Sequence, residues 1–486
     1  NSVINAPDKV SLDSNNIELV FNVKEGNPTY IEKLIFSDID SIKQAEYADN
    51  FAFLEDGIFN KIEFENTLSE MLDYFEEQGS PFAAIKIENL FFRFDSVQES
   101  NLVDIKLSFT EIIPSRIGKI SIIGNEKTKD FVIERSIRIQ PGELYSQSKF
   151  DNIPKQLNRL RFFEPVESPL FYLDNKNDGV IQITVKEKET NSFDGILGYV
   201  PEATGNKKGY FTGFVNVGLR NIFGTGRAAS IKWNKEASAT QELELKYLEP
   251  WIFGYPFNVE GGYYQRKQDS TYVQNKFNFN VEFLASNDIT ASFLFSRETI
   301  IPTEPDKRGF TVYYSTATET GLNLKIDTRD DVYAPTEGLL FINAYKFSSK
   351  KINGPEEFIT SSTKRKIGLQ RLELDFSYFY EIVKRQIAML GVHARELKSS
   401  LFEISDYYKL GGTNSLRGFR ENQFLGNRIL WSNMEYRYLM AQRSFGFLFF
   451  DTGYYLKEAD PENDIKKNLH LKSVLDLVSV WKRVWE

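Results

Sequence analysis

Cysteine is absent from this chain of 486 residues, which excludes disulfides, thiolate metal sites and a cysteine nucleophile. Histidine is almost absent: His393 and His470 stand alone, with no zinc-ligand spacing, so no metal or other cofactor is expected. No run approaches the roughly 18 apolar residues that a membrane-spanning helix needs. That absence does not exclude spanning strands, which place lipid-facing residues only at every second position. A Gly-x-Ser-x-Gly elbow is missing, and Gly224-Thr225-Gly226 is too short for a phosphate loop, so no catalytic constellation is visible and no enzyme activity is expected. The charge of −9 argues against nucleic acid as a partner. An initiating Met and a signal peptide are also lacking, and the chain is expected to be a processed or partial product.

Aromatic residues, by contrast, make up 14% of the chain, and two regimes of patterning meet near Glu189. The first mixes helical and strand periods. Val103, Ile105, Leu107 and Phe109 alternate with polar residues as in a half-buried strand, and Leu68, Met71, Leu72 and Phe75 fall at i, i+3, i+4 and i+7, a helix ending before Gly79. A second unit repeats the order: strand 119–123, a Gly124-Asn125 turn, helices over 129–137 and around 149–160, then a hairpin from Phe162–Val166 to Val180–Glu187. Residues 17–26 read as the last strand of an earlier unit.

The second regime alternates strictly. Phe277, Phe279, Val281 and Phe283 oppose Asn278, Asn280 and Glu282, and Leu372, Leu374, Phe376 and Tyr378 oppose Glu373, Asp375 and Ser377. A soluble sandwich would alternate too. Connection lengths separate the two readings. Strands are expected at 193–199, 209–218, 227–235, 241–248, 257–266, 275–284, 288–298, 317–328, 338–348, 364–380, 386–397, 428–439 and 444–455. Every second connection is short, as at 286–288, 382–385 and 441–443, whereas 299–316, 349–363 and 398–427 are long and polar. One rim of short turns and one of long loops is the asymmetry of outer-membrane barrels.

The longest polar loop carries Gly411-Gly412-Thr413-Asn414-Ser415-Leu416-Arg417-Gly418-Phe419-Arg420. With its Leu416, Arg417, Gly418 and Phe419 tip, this segment resembles the loop that folds back into the barrel in the BamA/TamA superfamily of outer-membrane assembly and translocation barrels. Turn segments around Gly224 and Gly226, Pro250, and Asp327, Arg329, Asp330 and Gly338 resemble that superfamily's turn motifs, and they also make good turn chemistry by themselves. The β-α-α-β-β units at 27–113 and 114–188 resemble its POTRA domains, with 1–26 as the end of an incomplete unit. The resemblance implies α+β POTRA domains followed by an all-β transmembrane antiparallel barrel at 189–486, of a sixteen-strand type. It also implies that Arg417 pairs with Glu435 and Asp451 on the lumenal face of the two following strands. Alternation agrees for Glu435, which shares a face with Trp431, Asn433 and Arg437.

The implied function is insertion of β-barrel proteins into the outer membrane, or movement of polypeptide across it, with POTRA domains in the periplasm. The implied partners are outer-membrane lipids, unfolded outer-membrane proteins or a secreted client, and periplasmic or lipoprotein accessory subunits. The alternatives are a two-partner-secretion pore for one dedicated substrate and the membrane part of a lipase-like fusion enzyme. Past Leu471 the sequence departs from the superfamily pattern. A frameshift that removes the last strands is expected there, leaving 474–486 without a strand partner; a natural short terminus is the alternative.

Overall fold

The computed structural model describes residues 3–4, 8–11, 17–21, 23–24, 26–37, 57–96, 100–110, 112–201, 209–235, 237–268, 271–303, 312–361, 363–400, 402–403, 405–441, 444–458 and 468–478. The chain divides into two units. The first comprises Asn1–Ser121, Arg138–Ile153 and Ser168–Ile183; the second comprises Ile122–Ile137, Pro154–Glu167 and Thr184–Glu486.

At the start, β1 (Val3–Ile4) pairs with β4 (Val23–Lys24), and β2 (Asp8–Ser11) with β3 (Ile17–Val20). The run 17–26 therefore contains two short strands in place of the single one expected. Next come β5 (Thr29–Ser37), α1 (Lys61–Glu77), β6 (Ala84–Asp95) and β7 (Ser100–Thr110), whose sheet order is β5-β7-β6. Helix α1 begins where the Asn60 side chain accepts from Ile62 N and Glu63 N, and it ends before Gly79, whose φ of 99° suits glycine. Met71 and Phe75 are buried with Val103, Ile105 and Leu107 of β7 in one core. Each such side chain contributes about 1.5–3 kcal/mol by leaving water.

Next in the chain are β8 (Ile117–Ile123), α2 (Asp130–Ile137), α3 (Gln147–Leu160), β9 (Leu170–Leu173) and β10 (Gly179–Thr184), with sheet order β8-β10-β9. Both helices lie where their periodicity placed them. The hairpin differs from expectation: Leu170–Leu173 pairs with Gly179–Gln182, while Phe163 makes only an isolated bridge to Glu187. The turn chemistry explains the shift, because the Asp174 carboxylate accepts from Lys176 N at 2.8 Å and Asp178 N at 3.0 Å, closing the loop just before Gly179.

Beyond it runs one antiparallel sheet, which has fourteen strands among the described residues. They are β11 (Ser192–Val200), β12 (Tyr210–Ile222), β13 (Arg227–Lys235), β14 (Gln241–Glu249), β15 (Phe257–Gln268), β16 (Tyr272–Leu284), β17 (Ile289–Pro302), β18 (Tyr314–Asp327), β19 (Gly338–Gly354), β20 (Lys366–Val383) and β21 (Gln386–Ser399). After the hairpin β22 (Tyr408–Leu410) and β23 (Phe424–Gly426), the sheet continues as β24 (Arg428–Ala441), β25 (Ser444–Lys457) and β26 (Asn468–Val478). All thirteen expected strands are present, most of them a few residues longer than their alternation indicated.

Apolar residues cover one face of this sheet and stay exposed; Leu322 is 67% and Phe277 60% accessible. Charged residues line the other, where Lys276 meets Glu319 at 3.3 Å and Lys346 meets Glu373 at 2.8 Å. Such a sheet is turned inside out relative to a soluble domain, and only an apolar solvent outside it stabilises that arrangement. At the far end, Val474–Val478 pair with Phe447–Asp451, so the expectation that 474 onward lacks a strand partner is not met for those residues. Residues 479–486 lie outside the described residues.

Candidate functional site

The connection from β21 to β24 spans residues 400–427 and folds onto the charged inner face. Its tip depends on backbone geometry that only glycine adopts easily. Gly411 has φ 114°, and a Cβ there would sit 2.6 Å from the Arg420 carbonyl. Gly411 N donates to Ser415 Oγ at 3.0 Å, and Gly412 N to the Leu416 carbonyl at 3.1 Å, which closes a tight turn. Leu416 is then fully buried with Leu410, Phe424, Ile429 and Trp431, and Phe419 packs against them from the edge. Burial of Leu416 fixes the direction of the next side chain.

That side chain is Arg417, and it reaches both carboxylates that the family resemblance implied. Arg417 Nε donates to Asp451 Oδ2 at 2.8 Å and Nη2 to Asp451 Oδ1 at 2.7 Å, a two-pronged pair. The Arg417 amide donates to the same carboxylate at 3.0 Å, and Nη1 donates to Glu435 Oε1 at 2.6 Å. Its guanidinium lies 3.9 Å from the centre of the Phe449 ring. Asp451 is fully buried, so removal of Arg417 would strand a carboxylate away from water. Glu435 has a second partner absent from the sequence expectation, Arg437 Nε at 2.7 Å. Asn433 Nδ2 also donates to the Ser415 carbonyl at 2.9 Å, securing the tip's backbone.

The turn residues lie apart from this lock. Gly224 follows Asn221, whose Nδ2 donates to Thr128 Oγ1 at 2.8 Å and whose Oδ1 accepts from Gly226 N at 2.9 Å. Lys129 N donates to the Gly224 carbonyl, and a Cβ on Gly224 would fall 1.8 Å from the Lys127 carbonyl, so any other residue would push that segment away. Glu187 accepts from Lys127 N and Thr128 N; burial pushes its carboxyl up, yet these hydrogen bonds hold it below its ordinary value. Pro250 lies within 3.4 Å of where a Gly226 side chain would begin. Arg329 forks onto Asp327, Asp330 caps Thr336 N at 2.9 Å, and Gly338 turns back with φ 94°.

These turns also contact α3, which the sequence reading missed. Arg159 donates to Asp288 Oδ1 and the Asn287 carbonyl, both at 2.8 Å, and to the Asp327 carbonyl at 2.5 Å, while Lys155 Nζ donates to the Thr328 carbonyl at 2.9 Å. Asp327 and Arg329 thus serve the turn and, through their carbonyls, hold Arg159. The basic, polar face of α3 was the available signal.

Known proteins share both halves of this arrangement. Residues 115–188 match the surface antigen variable number repeat, the POTRA domain. The chain is 20% identical over 473 residues to the outer membrane protein assembly factor BamA of Nitratidesulfovibrio vulgaris, covering 90% of this chain but 55% of that protein. It thus spans about half the length of that relative. Among solved structures it shares the fold of BamA from Haemophilus ducreyi lacking POTRA domains 1-3, with TM-score 0.52, 14% identity, and 94% and 97% of the two chains covered. CdiB from Acinetobacter baumannii is similar at TM-score 0.50 and 12% identity, covering 94% of this chain and 85% of that one. The Omp85 superfamily domain matches residues 221–475, more than half the chain and a stretch that includes Arg417, Glu435 and Asp451. This chain belongs to the Omp85 superfamily.

Proposed function

We propose that this chain is the membrane-embedded part of an outer-membrane assembly factor that inserts β-barrel proteins by lending them a strand edge. The observation that carries the reading is β11. Among the described residues it ends the sheet, pairs with β12 over nine residues, and presents Phe193, Leu197 and Tyr199 exposed on one face. An edge in lipid exposes amides and carbonyls that demand partners, each unmet group costing several kcal/mol. An incoming strand satisfies them, and its own alternation sets its register. Strand β6, at the edge of its own sheet, offers a second such rail in the α+β region. Unfolded outer-membrane proteins are the clients on this reading, outer-membrane lipids the surroundings, and accessory subunits further partners, with the α+β domains in the periplasm.

The test is reconstitution of the chain in lipid vesicles followed by addition of an unfolded eight-stranded barrel protein. Faster appearance of heat-modifiable, folded client than in empty vesicles supports assembly. Client that stays unfolded and accumulates inside the vesicles points instead to a secretion pore. With the chain itself inserted, client that accumulates without folding, or that neither folds nor enters, overturns the proposal.

A further inference from the structure

The loop touches the inner face at a second place, on the other side of β21 from the Arg417 lock. Lys350 of β19 is 2% exposed and pairs with Glu403 and, at 2.9 Å, with Asp406, both on the loop's first limb. Glu403 N donates back to Asp406 Oδ2 at 3.1 Å, and Arg371 of β20 donates to the Asp406 carbonyl at 3.0 Å. Glu403 also accepts from Tyr313 N at 2.8 Å, tying in the connection between β17 and β18. Lys350 alone thus meets both loop carboxylates, while Arg371 holds the Asp406 backbone and pairs with Glu319 of β18 at 3.7 Å. Around it Phe402 and Tyr407 of the loop pack with Ile352, Ile367, Leu369 and Leu397 of β19 to β21.

We propose that Lys350, Glu403 and Asp406 are positioning residues that form an independent anchor for the loop, and that the loop pivots on it when the Arg417 end releases. Three observations favour that division of roles. The Lys350 anchor is drier, since the Arg417 side chain is 17% exposed. It has its own buried apolar core, which shares only the partly buried Tyr408 with the one that holds Leu416. Between the two anchors lie Gly411 and Gly412, both at positive φ, where the chain turns sharply from the first limb into the tip. A loop with only the Arg417 contact would leave the inner face whenever that contact opened. With the Lys350 anchor, its tip stays within reach and re-engages.

The chain's lack of cysteine makes the test direct. Ser405 has a buried hydroxyl with no hydrogen-bond partner among the described residues, so Ser405→Cys reports on the first limb at little cost; Ser415→Cys reports on the tip. Each is placed in the full chain in vesicles, and the rate of maleimide labelling is measured. Arg417→Ala is expected to speed Ser415→Cys labelling roughly tenfold or more, while Ser405→Cys changes by less than about twofold. Lys350→Met is expected to do the reverse. Should Lys350→Met fail to insert, Lys350→Met/Glu403→Gln/Asp406→Asn removes the buried charges together and is expected to expose Ser405→Cys in the same way. Reporters that rise together in either variant, or a Ser405→Cys that stays protected without Lys350, overturn the proposal.

Discussion

The domain at 29–110 and the long sheet alternate apolar and polar residues with the same period, yet they bury opposite members of the pair. In β7, Val103, Ile105 and Leu107 are fully buried, while Asp104 and Lys106 between them keep partial access to solvent. In β16 and β18 the apolar set is the exposed one, and the buried set includes Ser315 and Asp327. Period fixes which residues share a face; the solvent beyond that face decides which are hidden. The two regions therefore make opposite predictions for one kind of substitution.

The largest expected effect is in the α+β region. Residues 27–188, expressed without detergent, are expected to fold by circular dichroism, and Ile105→Asp should abolish that fold, because a buried unpaired charge costs about 4 kcal/mol or more. A disordered spectrum from the parent fragment, or a folded one from the variant, would break the contrast. Next is a charge on the sheet's exposed face. Leu322→Lys should destabilise the chain in vesicles by about 2–4 kcal/mol at mid-bilayer, read from guanidinium titrations. An unchanged midpoint would mean that Leu322 does not face lipid. Smallest is Asn60→Ala, which removes the cap on α1 for about 1 kcal/mol. Hydrogen exchange should show the loss at the Ile62 and Glu63 amides and leave the sheet untouched.

Much of this was legible from the residues. The strands of the long sheet read clearly because each has a clean outer row, such as Phe277 and Phe279, and a turn with its own chemistry, such as Asp330 with Thr336. Arg417 meets Glu435 and Asp451 as the family resemblance implied, and alternation had already placed Glu435 on the inner face. The Lys350 cluster was not legible. Alternation could put Lys350 on the inner face, but Glu403 and Asp406 read as ordinary loop acids, since no local pattern says which distant wall a loop will meet. Arg159 was missed for the same reason: its acceptors are mostly backbone carbonyls, which leave no mark in a sequence. The hairpin at 170–182 was misplaced although its signal was present, in the aspartate and glycine that bracket the turn.

The account rests on an inner face whose buried carboxylates hold an arginine brought by a loop. Double-mutant cycles on the inserted chain test that most directly, pairing Arg417→Ala with Asp451→Asn and with Glu435→Gln and reading unfolding free energies in vesicles. The predicted result is a coupling of about 1–3 kcal/mol, larger for Asp451, which takes both prongs of the guanidinium fork. Effects that add within about 0.5 kcal/mol for both pairs would contradict the lock and the inner face built around it.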